Sequence, residues 1–220
     1  MALQIDIYTE SINKYGEELC GNKTEIIRTP NGITAVLADG PGCGVKANML
    51  ASLNIKMIIS MLGRGERFID AVETVVGTQP LGTRDTYSAF TLVQISSEGL
   101  AQIAEVDMPG SILLRRGRLI EIPMDAKVIG RSIMREGSIS LRPGDILTIT
   151  NKGIIEAGRG STLETGWSRE LVAAYLQAAY KPRVTAVKLT KILLSASSSL
   201  DLDKPADDLT VITFRAGNIT

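Results

Sequence analysis

At 220 residues, with hydrophobic residues at 44% and charged residues at 22%, the chain has the composition of a globular protein that buries its own core, which excludes disordered and fibrous classes. Lysine plus arginine balances aspartate plus glutamate at 24 each, so no global field draws the chain to nucleic acid or an anionic membrane. Histidine is absent and Cys20 and Cys43 are the only cysteines, which removes Ser-His-Asp triads, Cys-His dyads, histidine-ligated zinc and a disulfide framework, and leaves carboxylates, metals or lysine to carry any chemistry.

In chain order, Met1 to Glu10 lacks the basic start of a secretory signal and carries Asp6 and Glu10 early. Strands are expected at Leu3 to Tyr8, Lys23 to Thr29 and Gly32 to Ala38, with Asn31-Gly32 as a hairpin signal. From Val45 to Leu62, Ser52, Lys56 and Ser60 recur every four residues among Met, Leu and Ile, the pattern of a helix buried on most of its surface. Lys46, Asn48, Asn54 and Lys56 interrupt that stretch, which argues against a membrane span and for a cytoplasmic protein. A second helix is expected at about Arg67 to Val76.

The middle reads as antiparallel meanders: Ser88 to Ser96, Leu100 to Val106, Ser111 to Arg115, Arg118 to Ile122 and Ile146 to Asn151, separated by glycine turns. Helices return at about Arg169 to Tyr180, behind the cap Ser168, and at Val184 to Ser197, and a strand at Leu209 to Arg215 closes the chain. Ser195 to Ser199 reads as a helix end, and Trp167 as a packing anchor. This order predicts a single α/β domain over residues 1–220, a four-layer αββα sandwich of two antiparallel sheets with helices on the outer faces.

Two features carry chemistry. Asp39-Gly40-Pro41-Gly42-Cys43-Gly44 lies between the apolar strand Ile33 to Leu37 and the following helix, where glycines let the backbone approach a ligand and an aspartate suits a hard divalent cation. Alone, Asp-Gly is equally a tight strand-to-helix corner. A dinucleotide site is disfavoured, because the third glycine position is Val45 and Asp39 repels phosphate unless a metal intervenes. The second feature, Asp207-Asp208-Leu209-Thr210-Val211, puts adjacent carboxylates before a β-branched strand, a costly pairing that a cation neutralises or that a solvated loop tolerates.

Together these features resemble the SpoIIE-like branch of the PPM (PP2C) phosphatases, which carry an Asp-Gly-x-Gly-x-Gly loop into a helix and an Asp-Asp-[Leu/Met]-Thr-Val strand start. Cys20-Gly21-Asn22 stands where small members have Cys-Gly-Asp, and Ile149-Thr150-Asn151-Lys152-Gly153-Ile154 where they have Ser/Thr-Asp-Gly-Val/Ile after a strand. The resemblance implies the same sandwich fold and removal of phosphate from serine or threonine by metal-activated water, with two Mn2+ or Mg2+ ions and no covalent intermediate. Carried over, Asp39 bridges the ions with help from the Gly40 carbonyl, and Asp207, with Asp208 as the alternative, holds one of them. The chain is similar to the small free-standing stressosome members, whose partners are phosphorylated STAS-domain proteins; neither nucleic acid nor membrane is implied.

Two positions depart from the family. Asn22 replaces a metal-binding aspartate with a neutral oxygen donor, and Lys152 replaces the other core aspartate with a cation. Gly153 fixes the register, against the alternative in which Asn151 takes the ligand position. The departures imply a slow or metal-hungry phosphatase, or a pseudophosphatase that binds phosphoproteins without hydrolysing them. A nucleotide-binding regulator is a third reading. Arg28, Arg84, Arg115 and Arg116 are candidate phosphate contacts that read better as surface arginines.

Overall fold

The computed structural model describes residues 3–79 and 88–218. In order these form β1 (Leu3–Ile12), β2 (Lys23–Thr29), β3 (Gly32–Asp39), α1 (Gly44–Gly63), α2 (Phe68–Thr78), β4 (Ala89–Ser96), β5 (Leu100–Val106), β6 (Ile112–Arg115), β7 (Arg118–Ile120), β8 (Met124–Ile129), β9 (Ser132–Ser140), β10 (Asp145–Thr150), α3 (Lys152–Glu156), α4 (Arg169–Ala179), α5 (Ala186–Leu200) and β11 (Leu209–Asn218). One antiparallel sheet runs β1-β11-β10-β6-β7 and the other β2-β3-β4-β5-β9-β8.

Three apolar layers follow from the two-residue period of the strands. Ala35, Leu37, Val93 and Ile95 of β3 and β4 point between the sheets, where they meet Leu147, Ile149, Ile212 and Phe214. Their neighbours Val36, Ala38, Phe90 and Leu92 point outward under α1 and α2. On the other sheet Ile146, Leu209 and Val211 lie under α4 and α5 with Trp167, whose ring meets Tyr175 edge-on at 5.1 Å. Central strands buried on both faces read as apolar runs rather than alternations. The arrangement is the expected αββα sandwich.

Several details differ from the sequence expectation. β1 continues to Ile12, because its full length pairs with β11 from Leu3↔Asn218 to Ile12↔Leu209. The β8–β9 hairpin was not expected: it lies at a sheet edge, where Asp125, Lys127, Arg135 and Glu136 break the apolar pattern. The β2–β3 turn is Pro30-Asn31 rather than Asn31-Gly32, since Thr29 pairs with Gly32. Helix α1 is not buried on most of its surface. Gly44, Ala47, Ala51, Asn54, Ile55 and Ile58 form its inner stripe, while Val45, Met49 and Leu53 are exposed, as expected for a helix lying on the outside of a sheet. By length and composition alone α1 could cross a membrane, but that inner stripe packs on the sheet.

Candidate metal centre

The ends of β3, β10 and β11 meet at one pole of the sandwich. Asp39 is the last residue of β3, pairing with Ala89, and its carbonyl accepts a 2.9 Å bond from the buried Ser88 hydroxyl. The Ser88 carbonyl in turn accepts from Asn54 of α1 at 3.2 Å, so the corner is tied to the helix that follows it. Gly40 has no alternative: a Cβ there would stand 2.2 Å from the Ala47 carbonyl oxygen. Gly40 is therefore a tight corner on steric grounds, and it leaves the Asp39 side chain half-buried at the rim.

Asp207 and Asp208 behave differently. Asp208 is buried, and its carboxylate accepts from the backbone N–H of Lys14 at 2.9 Å and of Gly21 at 2.7 Å. Those bonds staple the β1–β2 connection over the site and occupy both carboxylate oxygens. Asp207 is half-exposed, and its carboxylate accepts from the N–H of Asp208 at 2.8 Å. Of the pair, Asp207 is the one with a carboxylate oxygen free of hydrogen bonds.

Across from Asp39, the buried Asn151 mimics a strand neighbour: its amide donates to the Asp208 carbonyl at 2.7 Å and accepts from Thr210 N–H at 2.8 Å. Both amide ends of Asn151 are thus committed to the fold. The next residue, Lys152, donates its backbone N–H to Asp39 Oδ2 at 3.3 Å, joining the two sheets at the site. Its ammonium turns away to Glu156, 3.5 Å off, which also pairs with Arg159. Gly153 is as constrained as Gly40, since a Cβ would lie 2.2 Å from the Asp208 carbonyl oxygen.

Extending the β2–β3 register by one residue sets Asn22 opposite Asp39. Asn22 is buried, and its side-chain NH2 donates to Thr210 Oγ1 at 3.0 Å. Thus Asn22, Asp39, Lys152 and Asp207 do gather at one pole, drawn from four distant segments. Arg84 lies outside the described residues; Arg28 donates to the Ile5 carbonyl and Arg115 to Asp145, both away from this pole.

The electrostatics are those of crowded acids. Burial, and then the charges of Asp207 and Asp208, push the Asp39 carboxyl up to about 7 against the opposing pull of the Lys152 N–H and the Asn151 amide. Asp207 is also raised, first by burial and then by Asp208 and Glu156, while its bond from the Asp208 N–H and the Lys14 ammonium oppose the shift. Cys20 is pushed up to about 11 by burial and Cys43 is raised by its bond to Glu17, so neither supplies a thiolate nucleophile. Lys14, Glu17, Ser88 and Glu156 all shape the site and were missed by sequence reasoning. Their roles rest on contacts across the fold that no local pattern announces.

Two half-buried carboxylates, one raised by the charge of the other, suit a hard divalent cation. The donor set is thin, however: among the described residues no group of three or more Cys, Asp or Glu side chains is placed to hold a metal. Neither Asn22 nor Lys152 adds a carboxylate to it.

A family model described as stage II sporulation protein E (SpoIIE) matches residues 29–217. Among solved structures, the PP2C phosphatase domain and regulatory fragment of SpoIIE from Bacillus subtilis superposes with TM-score 0.84 at 18% identity, covering 100% of this chain and 65% of that one. The RsbU and RsbW domains of a Mycobacterium tuberculosis protein give TM-score 0.76 at 19% identity, covering 100% and 62%. RsbX in complex with magnesium gives TM-score 0.69 at 15% identity, covering 97% and 96%. No curated protein sequence matches significantly.

Proposed function

The chain belongs to the SpoIIE family of PP2C-type serine/threonine phosphatases, and from that premise we propose that it dephosphorylates a phosphoserine or phosphothreonine protein with Mn2+ or Mg2+ held by Asp39 and Asp207. The observation that carries the reading is the convergence of Asp39, at the end of β3, with Asp207, just before β11, so closely that the charge of one raises the pKa of the other. A bound divalent ion supplies Lewis acidity that lowers the pKa of water and neutralises phosphoryl charge.

The chain's own residues hold and orient. Asp39 is aimed by the Lys152 N–H and by the anchor of its carbonyl on Ser88. Asp208 does not coordinate; it fixes the β1–β2 connection, and with it Asn22, at the rim. Asn22 offers at most a neutral oxygen, so ion affinity is lower than a full carboxylate set gives. The carboxylates line neither of two large clefts of about 780 and 890 Å3, which open around Arg28 and around Glu105. A rim exposed in this way suits a protein substrate better than an engulfed small molecule. The partner class is a phosphorylated STAS-domain protein of a cytoplasmic stressosome or anti-sigma pathway, a reading supported by a bacterial stressosome structure among the structural neighbours.

A second reading is a pseudophosphatase that binds phosphoproteins without efficient hydrolysis, favoured by the absence of a three-carboxylate group among the described residues. Hydrolysis of p-nitrophenyl phosphate and of a phosphorylated STAS protein over a range of Mn2+ separates the two. Restoring both aspartates, Asn22→Asp with Lys152→Asp, is expected to raise Mn2+ affinity and turnover together. No change in either on metal titration overturns the assignment of the site.

A further inference from the structure

The opposite end of the β1-β11-β10-β6-β7 sheet is unusually basic for a chain whose charges balance. The β6–β7 hairpin presents Arg116 and Arg118, and packs through Gly117 on the Tyr180 ring and on Gln177, whose amide donates to the Gly117 carbonyl at 3.4 Å. Lys181 and Arg183 follow directly after Tyr180. Arg215 donates to the Pro182 carbonyl at 3.2 Å and pairs across the sheet with Ile146, while Arg142 donates its N–H to Asp145. Among the described residues none of Arg116, Arg118, Arg142, Lys181, Arg183 and Arg215 forms an ion pair.

Two of the neighbouring carboxylates are already occupied. Asp145 is buried against the Arg115 guanidinium at 2.7 Å, and Asp6 accepts the Ala186 N–H at 3.2 Å. The turn adds an independent observation: Arg116 has φ 52°, and the two-residue Arg116-Gly117 loop is one in which asparagine, aspartate or glycine is the stable choice. A cation stands where backbone stability alone selects against it. Strand β7 is also a sheet edge, with Arg118 and Leu119 exposed and its outer main-chain groups open to a further strand.

We propose that this basic pole, formed by the β6–β7 hairpin with the α4–α5 connection, docks an extended acidic segment of a protein partner. Arginine forks match carboxylates bidentately, and an edge strand offers backbone pairing to an extended chain. A membrane fits less well: among the described residues Leu119 is the one large exposed apolar side chain on the hairpin, whereas Val45, Met49, Leu53, Val128 and Ile133 lie on other elements. Single-stranded nucleic acid fits less well too, since the one aromatic at the patch, Tyr180, is engaged by Gly117. From Asp145 to Thr150 the strand rise is about 17 Å, so a partner bound here leaves the carboxylate rim open. The proposal does not depend on whether that rim hydrolyses phosphate.

The test is fluorescence anisotropy of a labelled oligoglutamate peptide with the full chain. Binding should weaken as salt rises, and Arg116→Glu with Arg118→Glu should weaken it by about tenfold or more. Lys56→Glu with Arg64→Glu, an equal charge change on and beside α1, should change it less than about twofold. Lys181→Gln with Arg183→Gln gives a milder second probe of the same pole should the first pair unfold. Absence of peptide binding, or equal loss from both glutamate pairs, overturns the proposal. So does tighter binding to phosphatidylserine vesicles or to single-stranded DNA than to the peptide.

Discussion

Two strand-to-helix corners face each other across the site, and they share a backbone while differing in charge. In one, β3 ends at Asp39-Gly40 and turns toward α1; in the other, β10 ends before Asn151-Lys152-Gly153 and turns into α3. Each has a glycine whose Cβ would lie 2.2 Å from a carbonyl oxygen, Ala47 for Gly40 and Asp208 for Gly153. Yet one corner presents a carboxylate and the other an ammonium that turns away to Glu156. The steric frame of a metal site and its ligand set are thus separable: close packing demands the glycines at both corners whatever the preceding side chain carries. The bond from the Lys152 N–H to Asp39 persists because it belongs to the backbone.

The largest effect that tests this comparison is on stability. Gly40→Ala and Gly153→Ala should each cost about 3 kcal/mol in urea unfolding, because the clashing atom is backbone and cannot swing aside. Gly42→Ala, at φ 79° but with open space around it, should cost only about 1 kcal/mol. A tolerated Gly153→Ala would mean that the second corner is not the rigid counterpart of the first. Next in size is the split within the acidic pair. Asp208→Asn leaves one of its two backbone donors, the buried Gly21 N–H or the part-buried Lys14 N–H, without an acceptor and should cost about 2 kcal/mol, whereas Asp207→Asn should be within about 0.5 kcal/mol of wild type. For Mn2+ binding by calorimetry the order should reverse, with Asp207→Asn weaker by about tenfold or more. Equal metal affinities in the two variants would return Asp208 to the ligand set.

Much of the fold was legible because its central strands are apolar on both faces and its turns carry glycine. The β8–β9 hairpin was not, since an edge strand with Asp125 and Lys127 has no second buried face to enforce alternation. The gathering of Asp39, Asp207, Asn22 and Lys152 was what the resemblance to the SpoIIE-like phosphatases implied. The division of labour between Asp207 and Asp208 did not, because it depends on the N–H groups of Lys14 and Gly21, which approach from the far end of the chain. The direction of the Lys152 ammonium was equally hidden, being decided by Glu156 one helical turn later.

The smallest effect concerns pH, and it isolates whether the ammonium of one corner acts on the carboxylate of the other. Asp39 has its carboxyl raised from 3.8 to about 7 in the folded chain, chiefly by burial and then by Asp207. Between those values the folded state holds a proton that the unfolded state has lost. Stability from this group is therefore present in full below about pH 4, falls as pH rises toward 7, and is flat above it. The metal-free melting temperature should fall as pH rises across that window, and Asp39→Asn should flatten the profile. Mn2+ binding should strengthen over the same range, since the ion competes with the proton for the carboxylate. The charge of Lys152 is not among the leading influences on Asp39, and its ammonium pairs with Glu156, so Lys152→Met should leave the midpoint of the profile in place. An upward shift of that midpoint would show the ammonium turned toward Asp39 in solution, and the two corners would then form an internal ion pair in place of an open cation site.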